Sequence, residues 1–138
     1  MENDREITAV LVDSSMFIQL LRQQKDPAFE LSSRARHMDL ATCGMVQMEV
    51  LRGMRTPRLR DALRRFMSVM LYASTDFRMW DAATDIAWQL DRKGITLPAQ
   101  DLIIAASAQR LDAAVLTLDN HFYDVPNLRV LNSLDDLR

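Results

Sequence analysis

The stretch Thr8-Ala9-Val10-Leu11-Val12 is a continuous apolar run that stops at Asp13. A strand with one wet face alternates apolar and polar residues; this one does not, so both of its faces must be covered. The run therefore predicts a central strand of a parallel sheet, with helices packed on either side. Leu40–Cys43 and Ala114–Leu118 read as further strands, Leu71–Ala73 as a short one, and Leu128–Leu131 as an edge strand.

Helical patterns fill the intervals. Ser14–Gln23 carries Phe17, Leu20 and Leu21 on one side and is broken by Asp26-Pro27. Ala28–His37 follows, then Met45–Gly53, with Gly53 as the stop. Pro57 suits a first helical position and opens a helix to about Met70. Phe77–Lys93 is closed by Gly94, and Asp101–Leu111 is helical and apolar. Asp119–Tyr123 is a turn or short helix. Strands alternating with helices give an α/β fold with a central, mainly parallel sheet. Residues 1–138 make one domain, with 1–7 and 132–138 as flexible or partner-contacting ends.

Composition narrows the function classes. The net charge of -2 carries no global signature of nucleic-acid or membrane binding, so affinity for an anion must come from local charge. The single cysteine, Cys43, excludes an intramolecular disulfide and reads as a small core residue in a reducing compartment. No run approaches the roughly 18 apolar residues of a membrane span, and the N-terminus lacks a signal-peptide pattern. The expectation is a cytoplasmic protein.

In parallel sheets, ligands sit beyond the carboxyl ends of the strands. Asp13 and Asp119 each follow a predicted strand, and Asp101 opens a helix just after Pro98. An Asp in such a place is most often a helix N-cap, and Asp119-Asn120 is also ordinary turn chemistry. Two acids resist that reading. Glu49 has Met45, Val46 and Gly53 at helical spacing, and Asp101 has Ile104, Ala105 and Ala108. A carboxylate on an apolar stripe must pair, protonate or bind a cation. Arg52 could reach Glu49 from the stripe's edge. If Asp13, Glu49, Asp101 and Asp119 converge, their repulsion calls for divalent cations, and an all-oxygen donor set suits Mg²⁺ or Mn²⁺. Such ions activate water and hold a phosphodiester in line, with the acids as metal ligands and catalytic groups.

The motifs around these acids resemble those of PIN domains, and among them the VapC-type toxin ribonucleases of bacterial toxin–antitoxin pairs. The first motif is Leu11-Val12-Asp13-Ser14-Ser15-Met16-Phe17-Ile18, and the second is Met48-Glu49-Val50-Leu51-Arg52-Gly53. The third is Ala99-Gln100-Asp101-Leu102-Ile103-Ile104-Ala105-Ala106-Ser107-Ala108, and the fourth is Val115-Leu116-Thr117-Leu118-Asp119-Asn120-His121-Phe122. Each alone is weak; four in order from Val10 to Val130 are specific. The resemblance implies a three-layer α/β/α fold and a Mg²⁺- or Mn²⁺-dependent endoribonuclease, the toxin of a type II pair. It implies Asp13, Glu49, Asp101 and Asp119 as ligands, with Ser14 and Thr117 as supporting polar residues. It also implies an RNA substrate, a cognate antitoxin and a homodimer. Cys43 and Val46 stand where many relatives have a hydroxyl residue, which makes the surroundings of Glu49 drier.

Arg52, Arg55, Arg58, Arg60, Arg64 and Arg65 cluster, with Asp61 the only acid among them. Arg52, Arg55 and Arg58 are the candidate RNA-binding residues; a solvated helix face is the plainer reading. Met45, Met48, Met54, Met67 and Met70 read as core filler, or as lining for a homodimer or antitoxin groove. Trp80 and Trp88 read as core or interface anchors. His37 reads as a surface residue, and His121 as structural, with a ligand or phosphate contact as the alternative because it falls beside Asp119. Two other classes compete with the ribonuclease. One is a non-catalytic PIN-fold binding module that acts through the arginines. The other is a phosphatase with Asp13 as nucleophile, which Ser15 disfavours because such enzymes want a second Asp there.

Overall fold

A computed structural model describes residues 5–137 of the chain. Five strands form one parallel sheet in the order β3-β2-β1-β4-β5. They are β1 (Ala9–Val12), β2 (Asp39–Cys43), β3 (Leu71–Ala73), β4 (Ala114–Leu116) and β5 (Val130–Leu131). The helices are α1 (Ser14–Arg22), α2 (Pro27–Arg34), α3 (Gly44–Arg52), α4 (Pro57–Ser68), α5 (Phe77–Arg92) and α6 (Ala99–Arg110). This is the mainly parallel α/β sheet that the pattern predicts and the three-layer α/β/α architecture that the resemblance implies.

The unbroken apolar run occupies the middle of the sheet. Val10, Leu11 and Val12 are fully buried, and Leu11 pairs with Ala41 on one side and Val115 on the other. Burying such side chains stabilises the fold by roughly 1.5–3 kcal/mol each. Helices cover both faces, because neither face of β1 carries a polar residue. Phe17, Leu20, Val46, Val50, Ile103 and Ile104 come from α1, α3 and α6 and join the same core.

Most boundaries fall within two or three residues of those expected. β4 is the informative exception, ending at Leu116 rather than Leu118. Beyond it, side-chain oxygens take the backbone donors: the Leu118 amide donates to Ser15 Oγ at 3.1 Å and the Asp119 amide to Thr117 Oγ1 at 2.9 Å. At the C-terminal end, where a flexible or partner-contacting tail is expected, Leu134–Leu137 forms a 3-10 turn. Leu137 is buried in the core and Arg34 pairs with Asp135. At the other end, residues 1–4 lie outside the described residues. Arg5 pairs with Asp112 at 2.9 Å.

Trp80 and Trp88 are not core residues. They are 52% and 59% exposed, because α5 presents Met79, Ala83, Ile86 and Leu90 to the interior instead. Arg92 lies over the Trp88 ring at 4.8 Å. Of the five methionines read as core filler, Met67 is buried, Met45, Met54 and Met70 are partly buried, and Met48 is exposed. Cys43 is buried, and that burial pushes its thiol above the usual range, so it is no ready nucleophile. His37 is exposed, as expected.

Candidate active site

Parallel strands deliver their C-terminal residues to one edge, and helices that follow them start there. Asp13 stands between β1 and α1 at the N-cap position. Its side chain makes no capping hydrogen bond to the helix, so the plain explanation for an Asp in this place does not apply. The residue is 4% exposed, and Oδ2 accepts from Ser15 Oγ at 2.7 Å and from Thr117 Oγ1 at 2.8 Å. Two hydroxyls from different segments thus fix one oxygen, and no buried side-chain polar atom is left without a partner among the described residues.

Glu49 lies within α3, the helix that starts directly after β2. The helix buries Val46 and Val50 but exposes Met48, which leaves Glu49 at the edge of the stripe. Ser14 Oγ donates to Glu49 Oε1 at 3.3 Å. Desolvation raises the Glu49 pKa, and the charges of Asp13 and Asp101 raise it further. Arg52 works against this only as the least of the causes. Among the described residues, no Lys or Arg forms an ion pair with Asp13, Glu49, Asp101 or Asp119.

Asp101 occupies the first turn of α6, with Ile104, Ala105 and Ala108 buried beneath it. Its side chain is 14% exposed. Desolvation raises its pKa, and the charges of Asp119 and Asp13 act in the same direction. Asp119 caps the 3-10 turn Asn120–Asp124, its Oδ1 accepting from the His121 amide at 2.9 Å. The local turn reading of Asp119 therefore holds, and it does not stop the carboxylate from facing Asp101. The imidazole Nδ1 of His121 lies 3.1 Å from Asp101 Oδ2 and 3.3 Å from Asp119 Oδ1. These three side chains each offer a ligand atom within 4.8 Å of the others.

The structure thus brings Asp101 and Asp119 together with His121, while Asp13 and Glu49 stand outside that close group and act through charge, Asp13 on both Glu49 and Asp101, and Asp101 on Glu49. The four acids offer oxygen donors and concentrate negative charge, His121 Nδ1 adds a nitrogen donor beside Asp101 and Asp119, and burial and repulsion push two of the acids toward the protonated form. Those are properties a divalent cation relieves. Ser14 and Thr117 both contact these acids.

Two residues of the site escape the motif reading. Ser15 bridges Asp13 and Thr117, with its Oγ 3.3 Å from Thr117 Oγ1. His121 faces two acids rather than serving as turn structure alone. Its spacing of two from Asp119 is the signal that the sequence holds, but only the fold of the 3-10 turn aims the ring toward α6.

The structure also divides the arginines. Arg55 lines an apolar groove between α1 and α3, with Ile18, Leu21, Glu49, Val50 and Leu59. Arg52 lines a different groove with Arg60 and Arg64. Arg58 lines neither of them.

The PIN domain family model matches residues 10–128. No curated protein sequence matches the chain. Among solved structures, the chain is similar to the VapBC2 complex of Rickettsia felis bound to a promoter DNA fragment, at 19% identity and a TM-score of 0.75, covering 91% of this chain and 99% of that one. It is similar to the DNA-bound VapBC of Salmonella typhimurium, at 19% identity and a TM-score of 0.73, covering 90% and 97%. It is also similar to VapC20 of Mycobacterium tuberculosis, a toxin that cleaves the sarcin-ricin loop, at 16% identity and a TM-score of 0.58, covering 87% and 98%. At these identities the likeness is one of fold.

Proposed function

This chain belongs to the PIN domain family, and from that premise we propose that it is a Mg²⁺- or Mn²⁺-dependent endoribonuclease, the VapC-type toxin of a type II toxin–antitoxin pair. The observation that carries the proposal is the close group of Asp101, Asp119 and His121, with Asp13 and Glu49 in the same electrostatic field and no Lys or Arg paired with any of the four acids among the described residues. The four acids would hold the metal. A bound divalent ion supplies an activated water and neutralises charge on the phosphodiester in the transition state.

The chain's own residues set the geometry. Ser15 and Thr117 hold Asp13 in one orientation, and Ser14 does the same for Glu49. Such outer hydrogen bonds fix the direction of ligand lone pairs and keep the site ready before the ion arrives. Desolvation and two neighbouring carboxylates oppose the ionisation of Glu49, so a nearby cation stabilises its charged form. No side-chain nucleophile is required, in keeping with the buried state of Cys43.

Similarity to toxin–antitoxin complexes supports an antitoxin as partner. So does the apolar groove of about 550 Å³ that borders Glu49, walled by Ile18, Leu21, Val50, Met54 and Leu59. A segment seated there would also cover Glu49. Leu71 and Tyr72 on edge strand β3, with Phe77 and Trp80 on α5, leave exposed apolar area that a second copy would cover in a homodimer. No helix among the described residues is long and apolar enough to cross a membrane, and a cytoplasmic location is part of the proposal, since its substrate is RNA.

The test is incubation of the purified protein with total RNA, with and without EDTA, beside calorimetry with Mn²⁺. Metal-dependent cleavage that Asp13→Asn and Asp101→Asn abolish, with folding intact, is the expected result. Full activity in either variant overturns the site. Absence of both Mn²⁺ heat and thermal protection favours the non-catalytic binding module.

A further inference from the structure

We propose that the groove between α3 and α4, walled by Arg52, Arg60 and Arg64, seats the phosphates of single-stranded RNA across α3 from Glu49; this rests on the ribonuclease reading above. The sequence cluster spreads six arginines along the chain without saying which act together. In the fold, Arg52 at the end of α3 meets Arg60 and Arg64 of α4 across a groove of about 360 Å³. Arg60 and Arg64 are four residues apart on one helix face, which places them roughly 6 Å apart along the axis. That spacing is of the order of successive phosphates in an extended strand.

Three features favour RNA over other anions. First, the groove is amphipathic: Met48 and Leu51 line it together with the arginines, and Gln47 adds an amide. A nucleotide has the matching division between charged phosphate and flat base, and guanidinium forks bind phosphate oxygens in pairs. Second, the groove shares α3 with the site: Arg52 lines it and acts on the charge of Glu49, which borders the groove on the opposite face of the same helix. One helix therefore separates a strand in the groove from Glu49. Third, the charge is largely free. Arg60 pairs only with the exposed Asp61, at 3.3 Å, and Arg52 and Arg64 make no ion pair among the described residues. The groove on the other side of α3 is lined mainly by apolar side chains, and its two arginines, Arg22 and Arg55, share it with the acid Glu49.

The experiment measures binding of a fluorescent random-sequence RNA oligonucleotide by the full chain carrying Asp13→Asn, across a range of salt concentrations. For single strands, the magnitude of the slope of log K against log salt is about 0.7 for each phosphate that the protein neutralises. The double variant Arg60→Ala/Arg64→Ala is expected to lower that magnitude by about 1.4 and the affinity at least tenfold. Arg36→Ala, an exposed arginine outside both grooves, is expected to change neither. Arg60 and Arg64 are exposed, so melting temperatures should match and exclude misfolding. Wild-type binding with an unchanged slope in the double variant overturns this assignment and leaves the ribonuclease reading standing. Failure of the unsubstituted chain both to bind and to cut RNA removes that reading as well. If polyglutamate binding depends on the same arginines while RNA binding does not, the groove belongs to an acidic protein partner and the proposal fails.

Discussion

Thr117 donates its hydroxyl hydrogen to Asp13 Oδ2 across 2.8 Å, tying the end of β4 to the end of β1. Its Oγ1 also accepts from the Asp119 amide at 2.9 Å, so one buried hydroxyl serves two of the four acids. Replacing Thr117 by Val keeps the shape and removes both bonds. The expected cost is about 1–3 kcal/mol of stability and a loss of divalent-ion affinity of about tenfold or more. Thr117→Ser should retain most of both. Melting curves and Mn²⁺ calorimetry check this, and wild-type affinity in the Val variant would contradict it.

Glu49 and Asp101 both have pKa values raised, in each case chiefly by desolvation. A carboxyl whose folded pKa lies above its unfolded value costs nothing while both states are protonated. The cost enters as pH rises through the interval between the two values and is full above the folded one. The metal-free protein should therefore lose stability as pH climbs out of the acid carboxylate range. Glu49→Gln should remove part of that loss and raise the metal-free melting temperature near neutral pH by about 2–4 °C. In excess Mg²⁺ the order should reverse, because the variant lacks a ligand. A Glu49→Gln protein that is less stable than wild type without metal would refute the repulsion.

The pKa of His121 is raised, mainly by the hydrogen bond with Asp101 and then by the charge of Asp119. A raised imidazole pKa contributes stability that is present below the unfolded pKa and is lost as pH rises through the folded one. NMR titration of the imidazole should place its pKa above the ordinary histidine range, and Asp101→Asn should lower it. An unchanged titration in that variant would show that the contact does not form in solution.

Leu137 buries its side chain completely although it stands next to the last residue of the chain. Leu137→Ala should cost about 2–4 kcal/mol, as for other large-to-small core changes. A surface substitution at Asp136 should cost less than about 0.5 kcal/mol. Chemical denaturation distinguishes the two, and equal effects would mean that the C-terminal turn is not docked.

The strand and helix order was legible because periodicity is local: an apolar run such as Ala9–Val12 can be satisfied only between two strands and beneath helices. The position of Asp13 at a strand end, and of Glu49 and Asp101 on apolar helix faces, followed from the same local rules. Family-like spacing then linked those acids to one another. What local rules could not reach was which side chains meet across the sheet edge. Ser15 touches Thr117 only because β1 and β4 are neighbours in the sheet. His121 meets Asp101 only because the 3-10 turn after β4 packs beside the start of α6. Arg52, Arg60 and Arg64 share one groove while Arg55 lines another, and a linear cluster carries no record of that division. The tryptophans of α5 likewise point outward because packing selected the neighbouring stripe of Met79, Ala83, Ile86 and Leu90. The sequence determined the elements and the chemistry that each one carries. Three-dimensional packing decided which of those groups lie within hydrogen-bonding distance, since such contacts depend on the register of non-neighbouring segments.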